Sequence, residues 1–246
     1  MRSTDARRRA RMMLTWLIFC SGVWSGAQEQ APAPPPAPAA PQVPARFVVV
    51  LDAAHGGDDD GGKLNTGHLE KQVTLALSVR LRSLLNARGI QVVTTREADD
   101  SLNPDQRATI ANRARAQACI SLHVAETGSG VHLFASNLPP AQPGRFAPWK
   151  TVQAAHVTRS MALLGNLNQA LQHDAVPVTL GRTALPGLDS MACPAVALEL
   201  APERDSDKKT IAEPDNADYQ ARVAMILADA LLEWRSDAGM PGGRQP

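Results

Sequence analysis

The chain has 246 residues, of which 44% are hydrophobic and 20% charged, with a formal charge of +1. Three cysteines and no long apolar run exclude a disulfide scaffold and an ordinary spanning helix, and there is no collagen-like or coiled-coil bias. Residues 1–27 hold five arginines and one aspartate, so the rest carries 20 basic and 23 acidic residues; a body at −3 lacks the electrostatic footprint of a nucleic-acid binder.

In chain order, Arg7, Arg8, Arg9 and Arg11 precede a short apolar stretch at 12–19 that extends weakly to Val23. Ser25-Gly26-Ala27 then supplies small residues for cleavage, the layout of a secretory signal peptide over residues 1–27. An uncleaved anchor is the alternative, although the stretch is short for a span. Phe19 is too bulky for lipoprotein processing at Cys20. The mature chain is expected to begin near Gln28, exported to the periplasm or the cell exterior, with no stable membrane span after cleavage. Residues 28–45 contain a Pro/Ala tract whose seven prolines between Ala31 and Pro44 predict an extended, solvated spacer. Residues 46–235 are long enough for one well-buried domain, followed by a polar tail at 236–246.

Within that domain, the continuous apolar run at 47–51 reads as a strand buried on both faces, ending at Asp52 and a Gly-rich turn. A helix is expected over 69–87, with Val73, Leu77, Leu81 and Leu84 on one face, Lys71, Arg80 and Arg82 toward solvent, and Gly89 as its stop. A β-branched strand follows at 90–95. Asn103-Pro104-Asp105-Gln106 has the spacing of a capping box with proline in the first turn, opening a helix to about Ala116. Strands at 119–124 and 131–135, a long helix at 152–172, a strand at 195–200 and a last helix at 218–234 complete the pattern. Strands alternating with helices predict a single α/β domain with a twisted, largely parallel central sheet flanked by helices. Ligands in such sheets bind beyond the carboxyl ends of the strands.

Chemistry-bearing residues lie there. The first strand runs into Asp52-Ala53-Ala54-His55-Gly56-Gly57, the strand from Cys119 reaches His123, and the strand from Ala195 reaches Glu199, while Glu70 opens the first helix. Two histidines and a carboxylate form a recurrent catalytic zinc set with a position left for water. His55, Glu70 and His123 would be the metal ligands and Glu199 the general base, then acid. Each residue also has a plain structural reading: a satisfied polar histidine, or a glutamate complementing a helix N-terminus. The spacing matches no short metal motif. Asp58, Asp59 and Asp60 read as a solvated turn with acidic influence on the site rather than a calcium loop. His68 ranks below His55 as a ligand, and His132, His156 and His173 show no partner pattern and read as structural or exposed. A disulfide between Cys119 and Cys193 is open in an oxidising compartment.

VVVLDAAHGGDDDGG at 48–62 resembles the opening motif of the zinc-dependent N-acetylmuramoyl-L-alanine amidases of the amidase_3 family. The likeness continues in order through Glu70-Lys71, Thr94-Thr95-Arg96, Arg107, Ala111-Asn112, Ile120-Ser121-Leu122-His123 and Pro194 to Glu199, and covers about residues 46–235. The resemblance implies zinc held by His55, Glu70 and His123, with Glu199 catalytic. It further implies cleavage of the peptidoglycan amide between N-acetylmuramic acid and L-alanine, and it leaves open a protein activator. Ala54, Asp60, Ala125 and the segment 200–204 depart from the family pattern, and a methyl at Ala54 is expected to crowd the turn. In some relatives an inserted helix blocks the site; residues 137–149 look too short for one. Two other readings stand beside the amidase: a catalytically silent peptidoglycan-binding or regulatory module on the same fold, and a zinc peptidase cutting within the stem peptide.

Overall fold

A computed structural model describes residues 46–142 and 148–238. The expected signal peptide, the expected spacer and the end of the expected polar tail lie outside the described residues. Among the described residues no helix is long and apolar enough to cross a membrane.

Among the described residues, eight strands and five α-helices follow one another: β1 (Val48–Ala53), α1 (Glu70–Ala87), β2 (Gln91–Thr94), α2 (Pro104–Ala114), β3 (Ala118–Val124), β4 (Val131–Ser136), α3 (Val157–His173), β5 (Val178–Thr183), α4 (Pro186–Asp189), β6 (Ala195–Leu200), β7 (Glu203–Arg204), β8 (Thr210–Ala212) and α5 (Ala217–Ala238). Six strands form one sheet in the order β2-β1-β3-β6-β4-β5. β2, β1, β3 and β6 run parallel; β4 is antiparallel to β6, and β5 is parallel to β4. The α/β fold with a largely parallel sheet is therefore as the alternation of elements predicts.

The pleat sends successive side chains to opposite faces. Val49, Leu51, Ile120, Leu122, Val196 and Leu198 pack against α1, α3 and α5, through residues such as Leu77, Leu81, Leu163, Leu167, Val223 and Leu227. Val50, Cys119, Ala195 and Ala197 face the other way, onto Ala108 and Ala111 of α2 and Leu188 of α4. Three long helices thus cover one face and two shorter ones the other. The lightly covered face carries every second residue from Val48, and so receives Asp52, Ser121, His123, His132 and Glu199. Cys119 and Cys193 are joined by a disulfide that ties the start of β3 to the loop before β6.

Several local expectations change. The capping box is present: Gln106 N–H donates to Asn103 Oδ1 and Asn103 N–H to Gln106 Oε1, both at 2.9 Å. The helix expected at 152–172 is instead two pieces, a kinked 3-10 segment at Trp149–Ala155 and then α3. The break has a cause in Gln153. Its buried amide donates to the carbonyls of Leu188, Met191 and Cys193, and its Oε1 accepts from Ser160 Oγ. β5, α4 and the β7–β8 pair had no sequence signal in this reading, and residues 236–238 are the last turn of α5 rather than tail. Lys71 does not point to solvent; its ammonium is held by Asp60, Asp99 and the Gly57 carbonyl.

Candidate metal centre

The turn after β1 is shaped by two buried guanidinium groups. Arg96 donates to the carbonyls of Ala53, Ala54, Lys71 and Ala98. Arg107 donates to the carbonyls of Ala53 and His55 and forms an ion pair with Asp52 at 2.8 Å. Burial, with Arg107 nearby, depresses the Arg96 pKa. Backbone carbonyls drawn inward in this way hold His55 at φ 61°, a left-handed conformation that costs a non-glycine residue on the order of 1 kcal/mol. Ala54 adopts no positive φ and lines the cleft.

Glu70 enters as the first residue of α1, where Leu69 N–H donates to Gln72 Oε1. Both of its oxygens are oriented by backbone: Gly62 N–H donates to Oε2 at 2.9 Å and Val124 N–H to Oε1 at 3.1 Å. His55 Nε2 lies 3.2 Å from Oε2 and His123 Nδ1 lies 3.2 Å from Oε1. Burial acts to raise the Glu70 pKa, but the hydrogen bonds from His123, His55, Gly62 and Val124 outweigh it and hold the carboxyl well below the usual carboxylate range. Hydrogen bonding to Glu70, opposed by burial and aided by Asp59, raises the His55 pKa. One potential ligand atom from each of His55, Glu70 and His123 lies within 4.8 Å of the others.

The remaining ring nitrogens are occupied from behind. His55 Nδ1 meets Asp59 Oδ2 at 2.9 Å, which lowers the Asp59 pKa. His123 Nε2 is 3.3 Å from Ser121 Oγ, which in turn donates to Asp52 Oδ2 at 2.9 Å. Metal-bound histidines need such partners, which fix the tautomer and turn the free lone pair inward. Gly61 presses on the same group: a Cβ there would sit 2.6 Å from His55 Cδ2 and 2.8 Å from Glu70 Cβ. The donor chemistry, with its supporting hydrogen bonds, fits a zinc ion.

Glu199 stands on β6 beside His123, its register partner on β3. A cavity of about 220 Å³ opens next to His55 and His123, walled by Leu102, Pro104, Leu185, Pro186 and Leu188. Residues 137–142 form no helix and do not line it, nor does the 3-10 segment; residues 143–147 lie outside the described residues. His68 stays out of the group and meets Asp215 instead, at 2.6 Å. His132, expected to be structural or exposed with no partner, instead meets Glu199 Oε2 through Nδ1 at 3.4 Å, and Asp52 and Ser121 carry no functional signal in the sequence alone. Their signal is period two: each shares strand parity with Glu199 or His123, but only once the register of neighbouring strands is known.

Comparison with known proteins gives the family and the fold. The family model described as N-acetylmuramoyl-L-alanine amidase (Amidase_3) matches residues 49–233. The chain is 30% identical over 191 residues to N-acetylmuramoyl-L-alanine amidase Rv3717 of Mycobacterium tuberculosis, covering 67% of this chain and 77% of that protein. It is 35% identical over 91 residues to a germination-specific N-acetylmuramoyl-L-alanine amidase of Bacillus subtilis, covering 31% of this chain and 38% of that one. The solved structure of an N-acetylmuramoyl-L-alanine amidase from Clostridium difficile 630 shares the fold, with a TM-score of 0.62 at 22% identity over 79% of this chain and 99% of that chain.

Proposed function

Because the chain belongs to the N-acetylmuramoyl-L-alanine amidase family of hydrolases, we propose that it cleaves the amide between N-acetylmuramic acid and L-alanine in peptidoglycan, with zinc held by His55, Glu70 and His123. The single observation that carries this reading is the convergence of those three side chains, far apart in sequence, at the ends of β1 and β3 and the start of α1.

When bound, zinc supplies Lewis-acid polarisation of the scissile carbonyl and acidification of a water. The protein supplies the rest. His55 and His123 would turn their inner ring nitrogens to the ion, because Asp59 and Ser121 engage the other nitrogen of each ring. Glu70, kept ionised by its two backbone donors, balances the ion's charge. Glu199 takes a proton from the attacking water and returns it to the leaving amine, a carboxylate's usual double role. The apolar wall of the cavity excludes water from one side and offers packing for neutral parts of the muramyl peptide.

The proposed substrate calls for a protein that acts outside the cytoplasm, at the cell wall. Two features support this: the signal-like N-terminus and a buried disulfide, which persists in oxidising compartments.

Mass spectrometry of digested sacculi tests the proposal. The expected result is release of whole stem peptides bearing a free L-alanine amino group, abolished by a chelator and restored by zinc. Cleavage inside the stem would make it a zinc peptidase instead. Binding to sacculi without turnover at saturating zinc would make it a silent module.

A further inference from the structure

Glu199 has a neighbour on each side. In register, it pairs with His123 of β3 and, across the antiparallel junction, with His132 of β4. Residues paired in this way project to the same face of a sheet and touch at side-chain range. The three side chains therefore form a row across three strands: His123, Glu199, His132. His123 belongs to the metal group, Glu199 is the proposed proton carrier, and His132 has no role in the mechanism above.

His132 is built into its place. Its side chain is only 14% exposed, and Nδ1 lies 3.4 Å from Glu199 Oε2. A carboxylate only accepts, so Nδ1 carries the hydrogen. The far side of the ring rests on Gly128, where a Cβ would fall 2.4 Å from both Cε1 and Nε2. Gly128 has φ +95°, and its carbonyl accepts from Arg204 Nε at 2.8 Å, which ties this loop to β7. Phe134, two residues along the same face, meets the ring edge-on with centroids 6.5 Å apart. The ring is thus confined from behind and beside, with its donor turned to Glu199.

We propose that His132 is a positioning residue for the hydrolysis: it occupies Oε2 of Glu199 and fixes the carboxylate plane, leaving Oε1 for the proton that moves. A glutamate that is 36% exposed on its side chain would otherwise sample several rotamers. Orientation of a proton carrier is worth about 10–100-fold in rate. The inference rests on the amidase reading, and its test separates the two.

The zinc-loaded protein is compared with His132→Leu, His132→Ala, His132→Asn, Glu199→Gln and the double variant His132→Leu/Glu199→Gln, on purified sacculi. Leucine fills the space without a donor, and alanine covers the case where leucine fails to fold. Asparagine keeps a donor nitrogen on Cγ, where Nδ1 stands. The expected result is a 10–100-fold fall in kcat for His132→Leu or His132→Ala with KM within twofold, and with metal content and melting temperature kept. His132→Asn recovers most of the rate. In the Glu199→Gln background the further change to leucine costs less than twofold, because the group it positions is gone. An unchanged kcat, a change in KM alone, a loss of metal, or a full additional loss on Glu199→Gln would each overturn the positioning role. If the parent holds zinc but releases no stem peptide, the amidase reading itself fails, and this inference with it.

Discussion

Ser121 shows how single side chains decide the behaviour of this centre. Its hydroxyl joins His123 Nε2 to Asp52, and Asp52 is also bound by Thr95 Oγ1 and Arg107. Removing the hydroxyl frees the imidazole to rotate and leaves a buried carboxylate oxygen short of a donor. Ser121→Ala is expected to weaken zinc binding by about 10–100-fold, measured by competition with a chromophoric chelator. Affinity equal to that of the parent would show that His123 is held without its relay. His55, Glu70 and His123, which the fold brings together, and Glu199 on β6 were legible as candidates because each sits at a strand end or helix start, where the fold class concentrates chemistry. Ser121 and His132 were not. Serine inside a strand and histidine two strands away acquire meaning only from the β3–β6 and β6–β4 registers, and register is a tertiary property.

Elements show the same division. β1, β3 and β6 were readable as unbroken apolar runs because both faces of the central strands are buried. α2 was readable because its cap is local. β5 was not, since at the sheet edge it is mostly exposed and carries no apolar period. Nor was the break before α3, which comes from carbonyls 35 to 40 residues away drawing Gln153 inward. The loop that delivers Glu70 to α1 is held at its other side by Thr66 and His68, both bound to Asp215 before α5. Burial acts to raise the Asp215 pKa, but the bonds from Thr66 and His68 prevail and lower it below the ordinary 3.8. A depressed carboxylate pKa contributes stability that is present above the unfolded value and is lost as pH falls through the folded one. Asp215→Asn is therefore expected to cost about 1 kcal/mol near neutral pH, with the difference from the parent shrinking below about pH 4. Urea unfolding at both pH values measures this. A gap that is constant with pH would show that the carboxylate's charge is not what binds the loop.

For the molecule as a whole, the cover on the two faces of the sheet differs. α1, α3 and α5 close one face fully, while α2 and α4 leave the carboxyl ends of β1, β3 and β6 open, and the metal group, Glu199 and the cavity gather there. The disulfide braces this thin side, linking Cys119 under the site to Cys193 across a separation of 74 residues. By loop-closure entropy, a link of that span contributes about 4 kcal/mol. Replacing both cysteines by alanine should lower the denaturation midpoint accordingly, and an unchanged midpoint would make the link incidental. The proposed function divides labour in the open face: His55, Glu70 and His123 would hold the ion and Glu199 would move the proton. Its most direct test is the metal content of Glu199→Gln beside its turnover of sacculi. One zinc per chain is expected, as in the parent, with turnover cut to a small measurable residue. Full turnover, or an empty site, in that variant would contradict it.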